Sequence, residues 1–146
     1  MAALSDYMEN KIIDAMLRGQ AFPTIATAYV ALFTATPADA AGGTEVTGGS
    51  YARVAVTSSL ANWAGTQSAA STVASSGTSG LTSNNATITF PAPTANWGVV
   101  TSIGVFDAST AGNLLFYSAL TASKTINNGD PAPNFPAAAL TLTIDN

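Results

Sequence analysis

Residues 27–34, with the sequence TAYVALFT, decide the fold class of this chain of 146 residues. Apolar side chains occupy both faces of the stretch, as they do in a strand that is covered on both sides. Residues 86–90 instead alternate strictly, with Ile88 and Phe90 on one face and threonines on the other. Such alternation is typical of a half-buried strand.

Apolar residues at alternate positions predict further strands between and after these two stretches. They span residues 52–58, 99–106, 114–120 and 139–145. Gly104, inside one of them, indicates a bulge or a close approach of another chain segment. Short strands separated by turn residues predict a mainly β protein, an antiparallel β-sandwich of jelly-roll or Greek-key type.

Upstream of these strands, residues 4–18 are predicted to form one N-terminal α-helix. Ser5 is a good N-cap, and Gly19 stands where helices commonly end. Asp14 and Arg18 are one turn apart and are predicted to pair. Apolar residues recur at helical spacing, namely Leu4, Met8, Ile12, Ile13, Met16 and Leu17. Two interpretations of this stripe stay open, because it can cover the sandwich's own core or dock on a neighbouring subunit.

We expect a single domain over residues 1–146, with the β-sandwich at 27–146. Residues 57–85 are different, because Ser, Thr, Ala and Gly dominate them and large apolar residues are few. So long a stretch without regular structure is unusual in a compact domain. We therefore predict a partly extended arm at 57–85 that lies on another surface and becomes ordered through contacts outside its own domain.

The chain contains neither cysteine nor histidine. It thus lacks the commonest nucleophile, the commonest general base and the best zinc ligands. Its eight acidic residues are scattered, and we expect them to be solvated or to cap turns. Asp107 and Asp130 lie in loops that lack the alternating oxygen ligands of a calcium loop. The sequence therefore predicts that the protein is not an enzyme, with no catalytic, cofactor-binding or metal-binding residue and no cofactor.

Charged residues make up 8% of the chain and the net charge is −4, whereas an average soluble domain has roughly 25% charged residues. The basic residues are Lys11, Arg18, Arg53 and Lys124. They form no stripe that would neutralise phosphates, so we predict no nucleic-acid partner. No long apolar run and no positively charged leader are present, which predicts no membrane span and no signal peptide. A charge-poor surface is easily desolvated, and we predict a homodimer or a homotrimer.

Trp63 and Trp97 both follow an asparagine and lie in or beside loops. Exposed tryptophans can stack on sugars, which leaves a carbohydrate-binding module as one hypothesis. Packing against the core, or anchoring a subunit contact, is the favoured interpretation because buried indole rings commonly serve these roles.

Four blocks of the sequence resemble a family of small virion proteins of tailed bacteriophages and prophages, labelled tail-fibre-like or structural. The blocks are LSDYMENKIIDAMLRG (4–19), YVALFTATPADAAGGTEVTGGSYARVAV (29–56), TSNNATITFPAPTANWGVVTSIGVFDASTAGNLLFYSAL (82–120) and KTINNGD (124–130). The resemblance covers nearly the whole chain, and residues 64–81 match it poorly.

The resemblance implies a structural protein of the virion, made in the bacterial host cytoplasm, with no catalytic residues. A jelly-roll protein of this size is similar to the cement or decoration proteins that stabilise phage heads. We therefore predict a protein on the outer surface of the head that contacts its own copies and the major capsid protein. A tail or tail-fibre component that contacts the host is the alternative.

Overall fold

The computed structural model describes residues 3–144, and strands hold 37% of the protein against 8% in helix. The elements are β1 (Ala3–Leu4), α1 (Asp6–Leu17), β2 (Thr27–Ala35), β3 (Thr44–Glu45), β4 (Val54–Thr57), β5 (Leu81–Ser83), β6 (Ile88–Thr89), β7 (Gly98–Phe106), β8 (Leu114–Ile126), β9 (Asn134–Phe135) and β10 (Thr141–Thr143). All described strand pairs are antiparallel, and the sheets are open. The predicted fold class, a mainly β sandwich with one N-terminal helix, is confirmed.

The largest sheet has six strands, five of which run in the order β1-β8-β7-β2-β3. The sixth strand, β4, pairs with the same edge of β2 as β3 does. Two further ladders of two strands each, β5 with β10 and β6 with β9, lie outside this sheet. Strands β8, β7 and β2 therefore lie in the interior of this sheet, each with a neighbour on both edges.

Strand β2 contributes to two apolar clusters, as its two-sided pattern predicts. Val30 and Leu32 belong to the larger cluster, on one face of the main sheet. Phe33 lies on the other face, where it packs with Phe106 and Leu114. Strand β2 is thus buried on both of its faces.

The second layer of the sandwich is formed by the two short ladders and their flanking residues. Ile88, Phe90, Leu140 and Leu142 all join the larger cluster of the main sheet. Each of them lies in or beside β6 or β10. The two layers are therefore unequal, with one broad sheet packed against two narrow ladders.

The helix has the capping residues that the sequence predicts, Ser5 and Gly19. The Ser5 side chain accepts a hydrogen bond from the Met8 amide at 3.3 Å, and Gly19 has a φ angle of +67°. Arg18 Nε lies 3.1 Å from Asp14 Oδ1. The helix begins two residues after the predicted start, because Ala3–Leu4 forms β1 and pairs with β8.

Strand β8 is longer than predicted, reaching Ile126 instead of residue 120. Thr125 and Lys124 pair with Val99 and Val100, although residues 121–125 show no apolar alternation. The final strand, Thr141–Thr143, is shorter than the predicted span 139–145. Leu140 and Leu142 are buried whereas Ile144 is exposed, and Asp145 lies outside the described residues.

The segment at 57–85 contains local side-chain hydrogen bonds. Its end forms β5, which pairs with β10. Within the loop, Gln67 donates to Ser71 Oγ at 2.7 Å and accepts from the Ser76 amide at 3.2 Å. Hydroxyl and amide side chains offer the backbone local hydrogen-bond partners, and the ordering of this segment through contacts outside its own domain stays a prediction.

Replacing Gly104 by alanine is expected to lower the free energy of unfolding by about 1–3 kcal/mol, the usual range for overpacking a core. A methyl group there would lie 2.9 Å from Phe33 Cε2 and 3.1 Å from both Leu114 Cδ1 and Phe106 Cε2. Urea unfolding followed by tryptophan fluorescence measures the change. Adding Leu114→Val should recover part of the loss, because it removes a contacting methyl group. Equal stability of Gly104→Ala and the unmodified protein would contradict this packing.

Candidate functional site

An apolar groove of about 390 Å³ runs between α1 and the sheets, and we call it the helix groove. Its lining residues are Leu4, Met8, Ile12, Phe22, Ile25, Ala28, Ser58, Trp63, Thr82, Val105, Leu115, Phe116, Leu142 and Ile144. Among residues 3–144, no charged side chain lines it. A groove of this character accepts apolar side chains rather than a charged ligand.

Three large apolar residues stand on the exposed side of the same helix, and we call them the helix ridge. Ile13, Met16 and Leu17 are 50%, 75% and 81% exposed. By contrast, Met8 in the first half of the helix is buried in the main core. The first half of the predicted stripe thus covers the protein's own core, and the second half is left on the surface.

A larger groove, of about 730 Å³, lies between the second half of β8 and residues 130–136. Its lining mixes apolar side chains such as Leu120 and Phe135 with the charged Lys124 and Asp130. Among the lining residues within 3–144, none forms a nucleophile with an activating base.

The ion pair of Arg53 and Glu45 is a polar cluster that the sequence interpretation missed. The Arg53 Nε and Nη2 groups donate to the two carboxylate oxygens of Glu45 at 2.9 and 2.8 Å. Its Nη1 donates to the carbonyls of Ala108 and Ala111 at 2.9 and 2.8 Å. The guanidinium lies 3.6 Å from the centre of the Phe106 ring. With its donors used inside the chain, Arg53 holds loops together and is not placed to bind an external anion.

Tyr51 extends this cluster into the core. Its hydroxyl donates to Glu45 Oε1 at 3.0 Å and accepts from the Leu32 amide at 2.9 Å. Burial is the main cause that raises the pKa of Tyr51 well above its usual range. The hydroxyl therefore stays protonated and serves as a structural donor. The only sequence signal for this cluster is that Glu45, Tyr51 and Arg53 lie close together in a chain with few charges.

The two tryptophans have different surroundings. Trp97 is 5% exposed, its Nε1 donates to the Gly49 carbonyl at 2.9 Å, and its ring meets Tyr51 edge-on. The hypothesis that Trp97 stacks on a sugar is therefore wrong, because its ring is packed in the core. Trp63 is half-buried and forms part of the helix groove.

Two of the loop acids, Asp107 and Asp130, cap turns, as the sequence predicts. Asp107 accepts hydrogen bonds from the backbone and side-chain nitrogens of Asn113, both at 2.7 Å. Asp130 accepts from the Asn127 amide at 2.8 Å. Asp39 accepts from the Tyr117 hydroxyl, and this hydrogen bond is the main cause that raises the pKa of Tyr117 to about 12.

Within the described part of the chain, no three acidic side chains come together as metal ligands. No helix among the same residues is long and apolar enough to cross a membrane. The absence of a metal site and of a membrane partner therefore stay predictions of the sequence.

Comparison with known families gives a match along nearly the whole chain. The model of a family described as "Podophage GP4 fiber I protein gp80" matches residues 3–143. The matched span contains every helix and strand from β1 to β10. No curated protein matches the chain. The predicted resemblance to structural proteins of phage virions is confirmed.

Proposed function

This chain belongs to the family of podophage GP4 fiber I protein gp80, and we propose that it is a structural subunit of a phage tail fibre. A structural protein of a bacteriophage virion is the function that the family establishes. The single observation that carries the finer proposal is the match of a fibre family over residues 3–143.

The surface supports a role in assembly. The chain has 8% charged residues, and the helix groove and helix ridge leave apolar side chains on and beside α1. Contacts of this kind suit subunits that repeat along a fibre. We propose that the protein acts without catalysis, as a homodimer or homotrimer, and without a nucleic-acid or membrane partner.

Head decoration, which the sequence analysis favoured, is the second candidate. The observation in its favour is a second group of exposed apolar side chains, on or beside the loop at 57–85. Leu60, Val73 and Leu81 are all exposed there. On a head, these side chains would contact the major capsid protein.

Deleting the gene tests the proposal. We expect particles with heads of normal stability that lack fibres in electron micrographs and adsorb poorly to host cells. Supplying the protein from a plasmid during growth should restore both fibres and adsorption. Mutant particles that adsorb normally but lose DNA sooner on heating would instead establish head decoration.

A further inference from the structure

We propose that Asn128 is a site of spontaneous covalent modification, at which the side-chain amide is lost as ammonia through a cyclic imide formed with Gly129. The two residues lie in the turn at 127–130 that follows β8, and we call it the Asn-Gly turn. The proposal goes beyond the role in the virion, because it concerns a reaction of the subunit itself with water as the co-reactant. It holds equally for a subunit in a fibre and for one on a head.

The first reason is the residue that follows the asparagine. Ring closure brings the next backbone nitrogen to the Cγ atom of the asparagine, and a side chain on that next residue hinders the approach. Asn128 is the one asparagine of the sequence that a glycine follows. Gly129 has a φ angle of +82°. Among residues 3–144, no heavy atom beyond its chain neighbours lies within 4 Å of the position that a Cβ would take there.

The second reason is the exposure of the Asn128 side chain. Asn128 lies on the surface, and in the part of the chain that the structure describes only its backbone amide forms a hydrogen bond, to Asn96 Oδ1 at 2.9 Å. By contrast, the side chain of Asn84 is buried and forms four hydrogen bonds. No partner therefore holds the Asn128 amide away from the nitrogen of Gly129.

Two hydrogen bonds between the Asn-Gly turn and the loop at 93–96 oppose the reaction. The Gly129 amide donates to the Pro93 carbonyl at 3.0 Å, and the Asn128 amide donates to Asn96. The attacking nitrogen is thus engaged in the folded turn and is released when the turn opens locally. The reaction in the folded protein is therefore slower than in the unfolded chain, in proportion to the fraction of molecules in which the turn is open.

The reaction consumes one water, releases one ammonia and involves no oxidation or reduction. The deprotonated Gly129 nitrogen attacks Asn128 Cγ and closes a five-membered ring, and the Cγ–Nδ2 bond breaks as Nδ2 takes up a proton and leaves as ammonia. Water then opens the ring at either carbonyl, which gives aspartate or isoaspartate. Either product adds one negative charge to a chain whose net charge is −4. Isoaspartate also lengthens the backbone by one atom, which displaces the Gly129 amide from Pro93.

Incubation of the purified full chain at mildly alkaline pH, in buffer and in concentrated urea, tests the site. Mass spectrometry of the tryptic fragment that follows Lys124 measures the conversion, and fragment ions assign it to Asn128 or to another asparagine. We expect conversion at Asn128 in both solutions, roughly tenfold or more slower in buffer because two hydrogen bonds must open. Asn128→Gln should abolish measurable conversion at this position, because its longer side chain must close a six-membered ring.

Asn96→Ala tests the control of the reaction by the loop at 93–96. It removes the acceptor of the Asn128 amide and should raise the rate in buffer about twofold to tenfold, as for the loss of one hydrogen bond, without changing the rate in urea. Asn10→Ala removes an exposed asparagine of α1 and is the matched control, which should change neither rate.

Two sets of results would contradict the proposal. If samples in buffer, followed for many times the half-time in urea, show no conversion at Asn128 or show as much at another asparagine, the assigned site is wrong. Equal rates in buffer and in urea, or equal rates for Asn96→Ala and Asn10→Ala, would overturn the control by the loop at 93–96. These results are independent of the gene deletion, so the modification and the position in the particle succeed or fail separately.

Discussion

Replacing Arg53 by alanine will lower the free energy of unfolding by about 3 kcal/mol, the lower end of the range for breaking a buried ion pair. The Arg53 side chain is 8% exposed and that of Glu45 is 23% exposed. Removing the guanidinium leaves a poorly solvated carboxylate and takes the donors from the carbonyls of Ala108 and Ala111. It also uncovers the ring of Phe106. Urea unfolding at neutral pH measures the loss.

Arg18→Ala is the matched control, because it removes the same side chain from an ion pair on the surface. Its effect should stay below about 1 kcal/mol, as is usual for exposed pairs. Arg53→Lys should fall between the two, because an ammonium group keeps the charge but cannot bind both carboxylate oxygens and stack on a ring at once. Similar losses for Arg53→Ala and Arg18→Ala would show that the buried geometry gives no additional stability.

The ends of the helix could be predicted from the sequence because they depend on local chemistry. Ser5 and Gly19 act on neighbours within a few residues, and side chains of their type do so in most proteins. The two-sided pattern of β2 could likewise be interpreted, because burial on both faces requires apolar residues on both faces. The resemblance to a known family then indicated a structural protein of a phage virion.

The ion pair of Glu45 and Arg53 could not be predicted in this way. The two residues meet because β3 and β4 lie on the same edge of β2, and this pairing depends on the whole sheet. The second half of β8 was missed for a similar reason. Its polar residues 121–125 form a strand because Lys124 and Thr125 pair with β7, not because of their own pattern.

The apolar stripe of the helix could also be predicted only in part. Helical spacing predicted the apolar stripe, and left open whether it faces the core or a neighbour. The structure divides the stripe, since Met8 is buried and Leu17 is exposed. The sequence does not contain this division, because it depends on how far β1 and β8 reach beneath the helix.

Replacing Asn84 by aspartate will lower the free energy of unfolding by roughly 3 kcal/mol or more at neutral pH, because it introduces an unpaired charge in the core. Asn84 is 1% exposed. Its Nδ2 donates to the carbonyls of Ala86 and Pro136, both at 2.8 Å, and of Phe135 at 3.3 Å. Its Oδ1 accepts from the Leu140 amide at 2.9 Å. One amide thus joins the end of β5 to the residues around β9 and β10.

The expected loss of stability in Asn84→Asp depends on pH, because burial disfavours the charged form of the new carboxyl group. The carboxylate of Asn84→Asp would face carbonyl oxygens, so its pKa in the folded state is raised above about 3.9, the value of an unfolded aspartate. The folded state then binds the proton more tightly, and the difference from the unmodified protein shrinks as pH falls through the raised pKa. Unfolding in urea at several pH values measures this dependence.

Asn134→Asp makes the same change at an exposed position of β9 and should leave the free energy of unfolding nearly unchanged. A loss for Asn84→Asp that is as small as for Asn134→Asp, or one that does not depend on pH, would show that Asn84 does not hold the two ladders together.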